Sequence, residues 1–303
     1  FSGILFHGNI NGNSEEVIEE NRMTLSVQRR RSQNTNRTTE KELPVQKHDK
    51  NKNYFLIADQ YSPELLEFVR RRLHPPSPRD LPYNLSSPLK MHYSQFNQSL
   101  YLEKLLKGKR NGTFVELGAL DGEYDSNTLY FERELGWTGI LIEPNPDSFN
   151  KLITKGRKSF CIQAAASLIN MSALLKLKRE YIAQMSYISY ETTPDMITVE
   201  AYPLYTMLKA VNLTKIDFLS LDVEGAEIEV LETIPWHQIT VMVMCIEHPH
   251  SEGGAQGIAQ YMKKFGYIVL EITVLDIWLA NKALLEQHLG SELSIQKVIG
   301  TYH

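Results

Sequence analysis

The 303-residue chain has few cysteines and no strong excess of charge of either sign. Its two cysteines, Cys161 and Cys245, each lie in an apolar run typical of a strand. In a doubly wound sheet these runs would be the third and fifth strands, too far apart for a disulfide, which needs Cα atoms within about 7 Å. We therefore expect two buried free thiols without metal-binding or catalytic roles. The net charge of −4 does not indicate non-specific binding to nucleic acid.

Long hydrophobic runs are also missing. The apolar residues 1–6 are far fewer than the roughly 20 that a membrane-spanning helix needs. Their composition fits the end of a truncated membrane span and, equally well, an ordinary hydrophobic chain end. Residues 9–52 are rich in Asn, Glu, Arg, Lys and Thr and poor in aromatics. Such a segment cannot bury enough apolar surface to offset its chain entropy, so we expect residues 1–60 to form a disordered stalk or tail.

The dinucleotide fingerprint G-x-G-x-x-G is absent as well. Residues 114–122 instead form an apolar run that leads into a turn with Gly118 and Gly122 and no third glycine. Glycine has no Cβ, so such a turn lets a ligand approach the backbone closely. A second apolar run, residues 139–143, ends in Glu143. Strand, glycine turn, helix, strand and acid is the order of a nucleotide-type cofactor site in a doubly wound α/β domain.

The acids around the turn indicate which cofactor this site would take. Asp121, Glu123 and Asp125 occur where a pyrophosphate would meet a helix N-terminus, and their charges would repel it. S-adenosylmethionine, an adenosine ligand with a sulfonium and no phosphate, suits the turn better. Glu143 would accept hydrogen bonds from its ribose hydroxyls, and Glu116 or Asp121 would lie near its ammonium group. The alternative is a Rossmann-like unit that binds nothing, whose acids only cap a helix.

Beyond the stalk, apolar runs and helical periodicity alternate as in an α/β domain. Residues 61–111 are predicted to form a helical and Pro-rich lead-in, and residues 166–199 a hairpin or irregular excursion over the cofactor side. Two further edge strands are predicted near residues 276–280 and 298–302. The predicted strands of the main sheet lie near residues 113–118, 139–143, 159–165, 216–221, 241–247 and 267–272. The predicted helices lie near residues 126–136, 146–155, 200–211, 225–234 and 255–265.

A second signature is the run D-V-E-G-A-E at residues 222–227, directly after a predicted strand. Together with the glycine turn and the run I-E-P-N-P at residues 142–146, it resembles the FkbM-type methyltransferase family over about residues 112–272. The resemblance implies a Rossmann-like class I methyltransferase fold for residues 112–303, with a mostly parallel doubly wound sheet and S-adenosylmethionine as cofactor. By position it implies these site residues: Glu116, Gly118, Asp121 and Gly122 at the cofactor turn, Glu143 at the ribose and Asp222 at the reaction centre.

Residues 107–112, 121–123 and 126–128 are similar, more particularly, to the arthropod Star-like branch of this family. That likeness implies a single-pass membrane protein of the secretory pathway, linked to ER-to-Golgi and endosomal trafficking of growth-factor precursors. Its partner would be a client membrane or secreted protein, and the domain would be catalytically silent. The chain departs from the usual family turn in carrying Glu116 and Leu120, and we expect the bulky Leu120 to crowd the cofactor.

Methyl transfer from a sulfonium depends chiefly on positioning of the two reactants, but an oxygen acceptor also needs a base. The predicted candidates are Asp222, Glu224 and His248, which fall beyond the carboxyl ends of two predicted strands, where α/β sheets bind their ligands. His248 and His250 have the spacing of two metal ligands, but no third ligand is fixed by spacing. We therefore expect a pocket-lining loop at residues 247–252 and no metal.

The sequence thus predicts an S-adenosylmethionine-dependent methyltransferase that acts on oxygen in an unidentified acceptor, with the silent trafficking factor as the alternative. The compartment follows from glycosylation sequons, which are more frequent than chance would give. They favour a lumenal or extracellular domain, joined to a membrane only through a segment outside this sequence. The sequons begin at Asn36, Asn84, Asn97, Asn111, Asn170 and Asn212.

Overall fold

The computed structural model describes residues 56–178, 187–188 and 196–290. Nearly all of the predicted stalk, and the strand predicted near residues 298–302, therefore lie outside the described residues. Across the described ranges, no helix combines the length and apolar character that a bilayer span requires.

Eight helices and eleven strands are defined within the described residues. The helices are α1 (Pro63–Arg70), α2 (Gln98–Leu105), α3 (Leu129–Leu135), α4 (Pro146–Leu152), α5 (Leu204–Ala210), α6 (Glu227–Thr233), α7 (Gly254–Lys263) and α8 (Lys282–Leu289). The strands are β1 (Thr113–Leu117), β2 (Thr138–Ile142), β3 (Phe160–Ile162), β4 (Ala165–Ala166), β5 (Ala173–Lys178), β6 (Tyr187–Ile188), β7 (Met196–Tyr202), β8 (Lys215–Leu221), β9 (Thr240–Glu247), β10 (Tyr267–Ile272) and β11 (Asp276–Asn281).

The main sheet has seven strands in the order β10-β11-β9-β8-β1-β2-β3. The pairs β9–β8, β8–β1, β1–β2 and β2–β3 are parallel, and β11 is antiparallel to both of its neighbours. The chain leaves β1 toward β2 on one side and returns at β8 on the other, so the strand order reverses between β1 and β8. This arrangement confirms the predicted α/β class with a mostly parallel, doubly wound sheet.

The position of β11 corrects one prediction. Residues 276–280 were expected to add an edge strand, but β11 lies between β9 and β10, inside the sheet. The physical reason is visible in its side chains, since Ile277, Trp278, Leu279 and Ala280 are all buried. A strand that is apolar on both faces is stabilised most when both of its faces are covered.

Both faces of the central strands carry apolar cores. Val115 of β1 and Leu219 of β8 belong to one core, and Phe114 and Phe218, their neighbours in sequence, belong to the other. Alternate residues of a strand point to opposite faces of the sheet. A strand covered on both faces therefore needs apolar residues at nearly every position.

The predicted lead-in packs directly on this sheet. Leu65 and Val69 of α1 belong to the same core as Leu219 of β8, and Leu102 of α2 belongs to the opposite core, where the neighbouring Tyr101 ring contacts Trp278. His74 pairs with Cys161 of β3 through backbone hydrogen bonds in both directions. The lead-in therefore reaches both faces of the sheet and can contribute side chains to sites at its edge.

A second sheet of four strands, in the order β4-β7-β5-β6, is formed by described residues between β3 and α5. Its antiparallel pair β5–β7 agrees with the predicted hairpin excursion. The helix predicted from residue 200 begins only at Leu204, because β7 continues to Tyr202 and Pro203 stands at the helix N-cap. Proline lacks an N–H and fixes φ, so it suits this boundary.

Candidate functional site

A cavity of about 280 Å³ opens beyond the carboxyl ends of β1, β2, β8 and β9. It lies at the reversal of strand order between β1 and β8, where open α/β sheets bind their ligands. Its lining includes five of the residues proposed from sequence, namely Glu116, Gly118, Glu143, Asp222 and Glu224. The other three, Asp121, Gly122 and His248, do not line it.

Three residues of the glycine turn after β1, Gly118, Leu120 and Gly122, have left-handed backbone. Gly118 has φ of +77°, and a Cβ on it would overlap the backbone oxygen of Asp222. Leu120 also has positive φ, 48°, and its side chain lines the cavity, as expected from its size. Gly122 faces the other way, since a Cβ there would meet Leu152 at 3.1 Å. Gly118 thus brings the turn against the loop after β8, and Gly122 packs the turn on α4.

Glu143, directly after β2, presents a fixed carboxylate to the cavity. One oxygen accepts from the N–H of Asn145 and the other from the N–H of Leu120, each at 2.8 Å. Burial raises the pKa of Glu143 to about 7, although both hydrogen bonds favour the charged form. Each carboxylate oxygen has two acceptor sites, so one on each remains for a ligand hydroxyl.

Asn127 adds an unsatisfied acceptor to the cavity wall. Its Nδ2 donates to Ser220 Oγ of β8 at 3.0 Å, but its Oδ1 is buried without a hydrogen-bond partner. A buried polar atom of this kind costs free energy unless a water or a ligand satisfies it. Asn127 is therefore a site residue that the sequence analysis missed, although it lies only a few positions beyond the glycine turn.

Glu116 is largely occupied by the chain itself. Its oxygens accept from Ser126 Oγ at 3.0 Å, Thr128 Oγ1 at 2.5 Å and the N–H of Asn127 at 2.6 Å. Burial raises its pKa, while the nearby Arg157 opposes that shift. Glu116 lines the cavity and also holds the loop before α3 in place, and its proximity to a ligand ammonium stays a prediction.

Asp121 and Glu123 are paired with one lysine. Lys155 Nζ lies 3.3 Å from Asp121 and 2.7 Å from Glu123. Asp121 also accepts from the N–H groups of Glu123 and Tyr124, which closes the turn. The sequence argument against phosphate relied on these negative charges, and Lys155 offsets part of them. Charge at the turn therefore does not by itself exclude a phosphate ligand.

The opposite end of the cavity is acidic. Asp222 follows β8 and Glu247 ends β9, and their carboxyl groups are hydrogen-bonding neighbours. Enclosure by the cavity walls and the charge of Glu247 raise the pKa of Asp222 well above its ordinary value, although its side chain still touches solvent in the cavity. Burial and the charge of Glu224 raise the pKa of Glu247 to about 7. This pair can therefore hold a proton near neutral pH.

Glu224 and His250 form the outer part of this acidic end. His250 Nδ1 lies 3.2 Å from a carboxylate oxygen of Glu224, whose backbone has φ of +56°. The buried Glu227 accepts from the N–H groups of Val223 and Gly225, each at 3.1 Å, and Ser251 Oγ donates to its other oxygen. Glu227 therefore ties the loop after β8 to the loop after β9.

His248 lies apart from this group. Its Nε2 is 3.1 Å from the carbonyl oxygen of Thr273, outside the cavity lining. The histidine beside Glu224 is His250, whereas the sequence analysis proposed His248 as the base. Glu247 and His250 line the cavity, in agreement with the pocket-lining loop predicted at residues 247–252, although neither was assigned a role from sequence. Ser220, Gln98 and Asp276 also line the cavity and were not proposed as site residues.

Residues 116–269 match the family described as the methyltransferase FkbM domain, and the match covers more than half of the chain. The chain therefore belongs to this family. Its sheet order, with a single antiparallel strand next to the edge strand β10, confirms the expected Rossmann-like class I methyltransferase fold. No curated protein matches the chain in sequence.

Three solved methyltransferases illustrate how distant the structural likeness is. TrmK of M. capricolum, solved with S-adenosyl-homocysteine, is 12% identical, with 62% of this chain and 68% of that chain covered and a TM-score of 0.35. Precorrin-6y C5,15-methyltransferase of Geobacter metallireducens is 11% identical, with coverages of 63% and 88% and a TM-score of 0.35. A SAM-dependent methyltransferase of Aquifex aeolicus is 12% identical, with coverages of 62% and 92% and a TM-score of 0.35. At these values the structural likeness does not indicate which ligand this chain binds.

Proposed function

We propose that the cavity binds S-adenosylmethionine and that the chain transfers its methyl group to an oxygen of an acceptor. One observation carries the proposal: Glu143 and the pair of Asp222 and Glu247 face the same cavity from opposite sides of the strand reversal. A carboxylate with free acceptor sites suits a ribose, and acids at the other end suit an acceptor hydroxyl. Membership in the FkbM methyltransferase family supports the same conclusion.

The residues around the cavity fit this cofactor. Glu143 retains one acceptor site on each oxygen for the two ribose hydroxyls, and Asn127 Oδ1 offers a further unpaired acceptor. The wall formed by residues 164–166 consists of three alanines, a small apolar surface suited to a purine ring. The described residues of the lining include seven carboxylates and no lysine or arginine, which favours a ligand with sulfonium and ammonium charges.

The chemistry divides between cofactor and chain. S-adenosylmethionine supplies a methyl group on a cationic sulfur. The chain would fix the geometry and accept a proton: Asp222, in its ionised form, would take the proton of the acceptor hydroxyl as the oxygen–carbon bond forms and the carbon–sulfur bond breaks, which leaves a neutral thioether. Glu247 beside it stabilises the protonated carboxyl through their hydrogen bond.

A calorimetric titration of the whole chain with S-adenosylmethionine tests the proposal. Glu143→Ala removes both acceptors for the ribose and should weaken binding about tenfold or more, since charge-assisted hydrogen bonds contribute about 1.5–3 kcal/mol each. Glu67→Ala, which removes an exposed carboxylate on α1, is the matched control and should bind normally. Equal affinity of both variants, or tighter binding of NAD than of S-adenosylmethionine, would refute the assignment.

The alternative function makes a different prediction in the same experiment. A Star-like trafficking factor that is catalytically silent would keep its fold without needing the cofactor. A folded chain that binds no S-adenosylmethionine would therefore favour this alternative over methyl transfer.

A further inference from the structure

Three side chains at the acidic end of the cavity have the arrangement of metal ligands. One ligand atom each from Glu224, Glu247 and His250 lies within 4.8 Å of the other two. All three residues line the cavity, beside Asp222. Spacing in the sequence offered only two histidines and no third ligand. In the structure the other two candidate ligands beside His250 are carboxylates: Glu224 from the loop after β8 and Glu247 at the end of β9.

A separate observation points to a missing partner at this place. Oε2 of Glu247 is buried and accepts no hydrogen bond from an N–H or hydroxyl group, and the neighbouring Asp222 carboxyl can donate one only when it carries a proton. A buried carboxylate oxygen without a donor is costly, and buried charges in proteins are normally paired or bound to metals. A cation between the three side chains would satisfy this oxygen.

The charge around the cluster has the sign that a cation requires. Asp222, Glu224, Glu227 and Glu247 all act on one another electrostatically at this end of the cavity. Among the described residues that line the cavity, no lysine or arginine compensates them. His250, which is exposed toward solvent, leaves the cluster accessible to an ion.

We propose that Glu224, Glu247 and His250 bind one divalent first-row metal ion. A set of one imidazole and two carboxylates combines ligand types that suit Mn²⁺, Fe²⁺ and Zn²⁺, and three protein ligands leave coordination positions open. All three residues line the cavity, so an ion held by them would border it. On the proposed function the open positions would hold the acceptor oxygen next to Asp222, and that part of the inference rests on the proposed function. Metal binding itself does not depend on it.

The test is a titration of the whole chain with Mn²⁺ in the absence of S-adenosylmethionine, with free Mn²⁺ measured by electron paramagnetic resonance. We expect saturation at one ion per chain. His250→Gln and Glu224→Gln should each weaken binding about tenfold or more. His248→Gln, two positions before His250, is the matched control: the His248 ring lies against the carbonyl oxygen of Thr273, and this variant should bind Mn²⁺ as the unmodified chain does.

Two results would overturn the inference: no saturable Mn²⁺ binding, or equal loss of binding in the His248 and His250 variants. Thermal unfolding of each variant, compared with the unmodified chain, separates loss of ligands from loss of fold. Titration of the same samples with S-adenosylmethionine separates this proposal from the proposed function. A His250→Gln chain that loses Mn²⁺ but keeps the cofactor would support a metal site distinct from the cofactor site.

Discussion

Gly118 lies so close to Asp222 that a Cβ on residue 118 would overlap the backbone oxygen of residue 222. This contact joins the turn after β1 to the loop after β8, the two segments that flank the reversal of strand order. Gly118 also has φ of +77°, which costs any other residue free energy. The two sequence signatures, the glycine turn and the D-V-E-G-A-E run, therefore meet at one backbone contact.

Gly118→Ala should destabilise the chain by more than backbone strain alone. The left-handed conformation costs alanine about 1–2 kcal/mol, and the overlap with Asp222 adds to it. Gly108→Ala is the matched control, because Gly108 has φ of +67° with no atom within 4 Å of an added Cβ. Urea unfolding should show a clearly larger loss for Gly118→Ala. Similar losses in the two variants would mean that the loop after β8 moves away without cost.

Binding of S-adenosylmethionine should strengthen as the pH rises through about 7. Glu143 has a pKa of about 7 in the free chain, and the ribose hydroxyls need its charged form as acceptor. Below that pH a proton must leave before the cofactor binds, so affinity should fall by up to about tenfold per pH unit.

Calorimetry from about pH 6 to about pH 8 measures this dependence. Glu247 also has a pKa of about 7, so the comparison with Glu143→Gln is needed to isolate Glu143. The Gln variant should bind weakly with a flatter pH profile. An unchanged profile in that variant would assign the dependence to another group.

Arg157 should be among the most costly polar residues to remove. Its guanidinium is buried and lies 3.0 Å from Glu132, and it also donates to Gly122 O and Thr128 Oγ1. Arg157→Met leaves buried carboxylates without a counter-charge and should lower the free energy of unfolding by about 3–5 kcal/mol.

The exposed pair of Arg71 and Glu67 on α1 provides the comparison. Because water screens that pair, Arg71→Met should change the free energy of unfolding by less than about 0.5 kcal/mol. Denaturant unfolding of both variants measures the difference. Equal effects would contradict the buried role of Arg157.

Asp222→Asn should separate catalysis from binding. If Asp222 accepts the acceptor's proton, its loss should lower turnover far more than cofactor affinity, because the interaction belongs to the transition state. Single-turnover methyl transfer and S-adenosylmethionine titration on the same sample measure the two quantities. A stable Asn variant that retains full turnover would show that another group is the base.

N-glycosylation should occur if the chain enters the secretory pathway. Asn84, Asn97, Asn111 and Asn212 are exposed in the structure, so their sequons are open to modification. The chain secreted from insect cells should shift in gel mobility after treatment with an N-glycosidase. Gln replacements at these four positions should reduce the shift, and Gln at Asn36 and Asn170 as well should remove it. A secreted chain without any shift would contradict the predicted lumenal location.

Most helices and strands, and the edge of the sheet where the site lies, could be predicted from the sequence. Apolar runs buried on both faces identify β1, β8 and β9, because the side-chain period is local to each strand. The carboxyl ends of parallel strands meet at one edge of a sheet, so Glu143 and Asp222 could be assigned to one site. The sequence also predicted that Cys161 and Cys245 lie on separate strands without a disulfide, and both are buried free cysteines in the structure.

Which side chains meet at that edge depends on the packing of the folded chain. Gln98 of the lead-in reaches Asp276 across 178 positions of sequence, and Lys155 neutralises charge at a turn more than thirty residues earlier. His248 and His250 stand two positions apart on one loop, and spacing cannot tell which of them turns toward Glu224. These contacts depend on packing between segments that are distant in sequence. The spacing of apolar residues within one segment does not predict them. For the same reason β11 could be recognised as a strand from sequence, whereas its place inside the sheet could not.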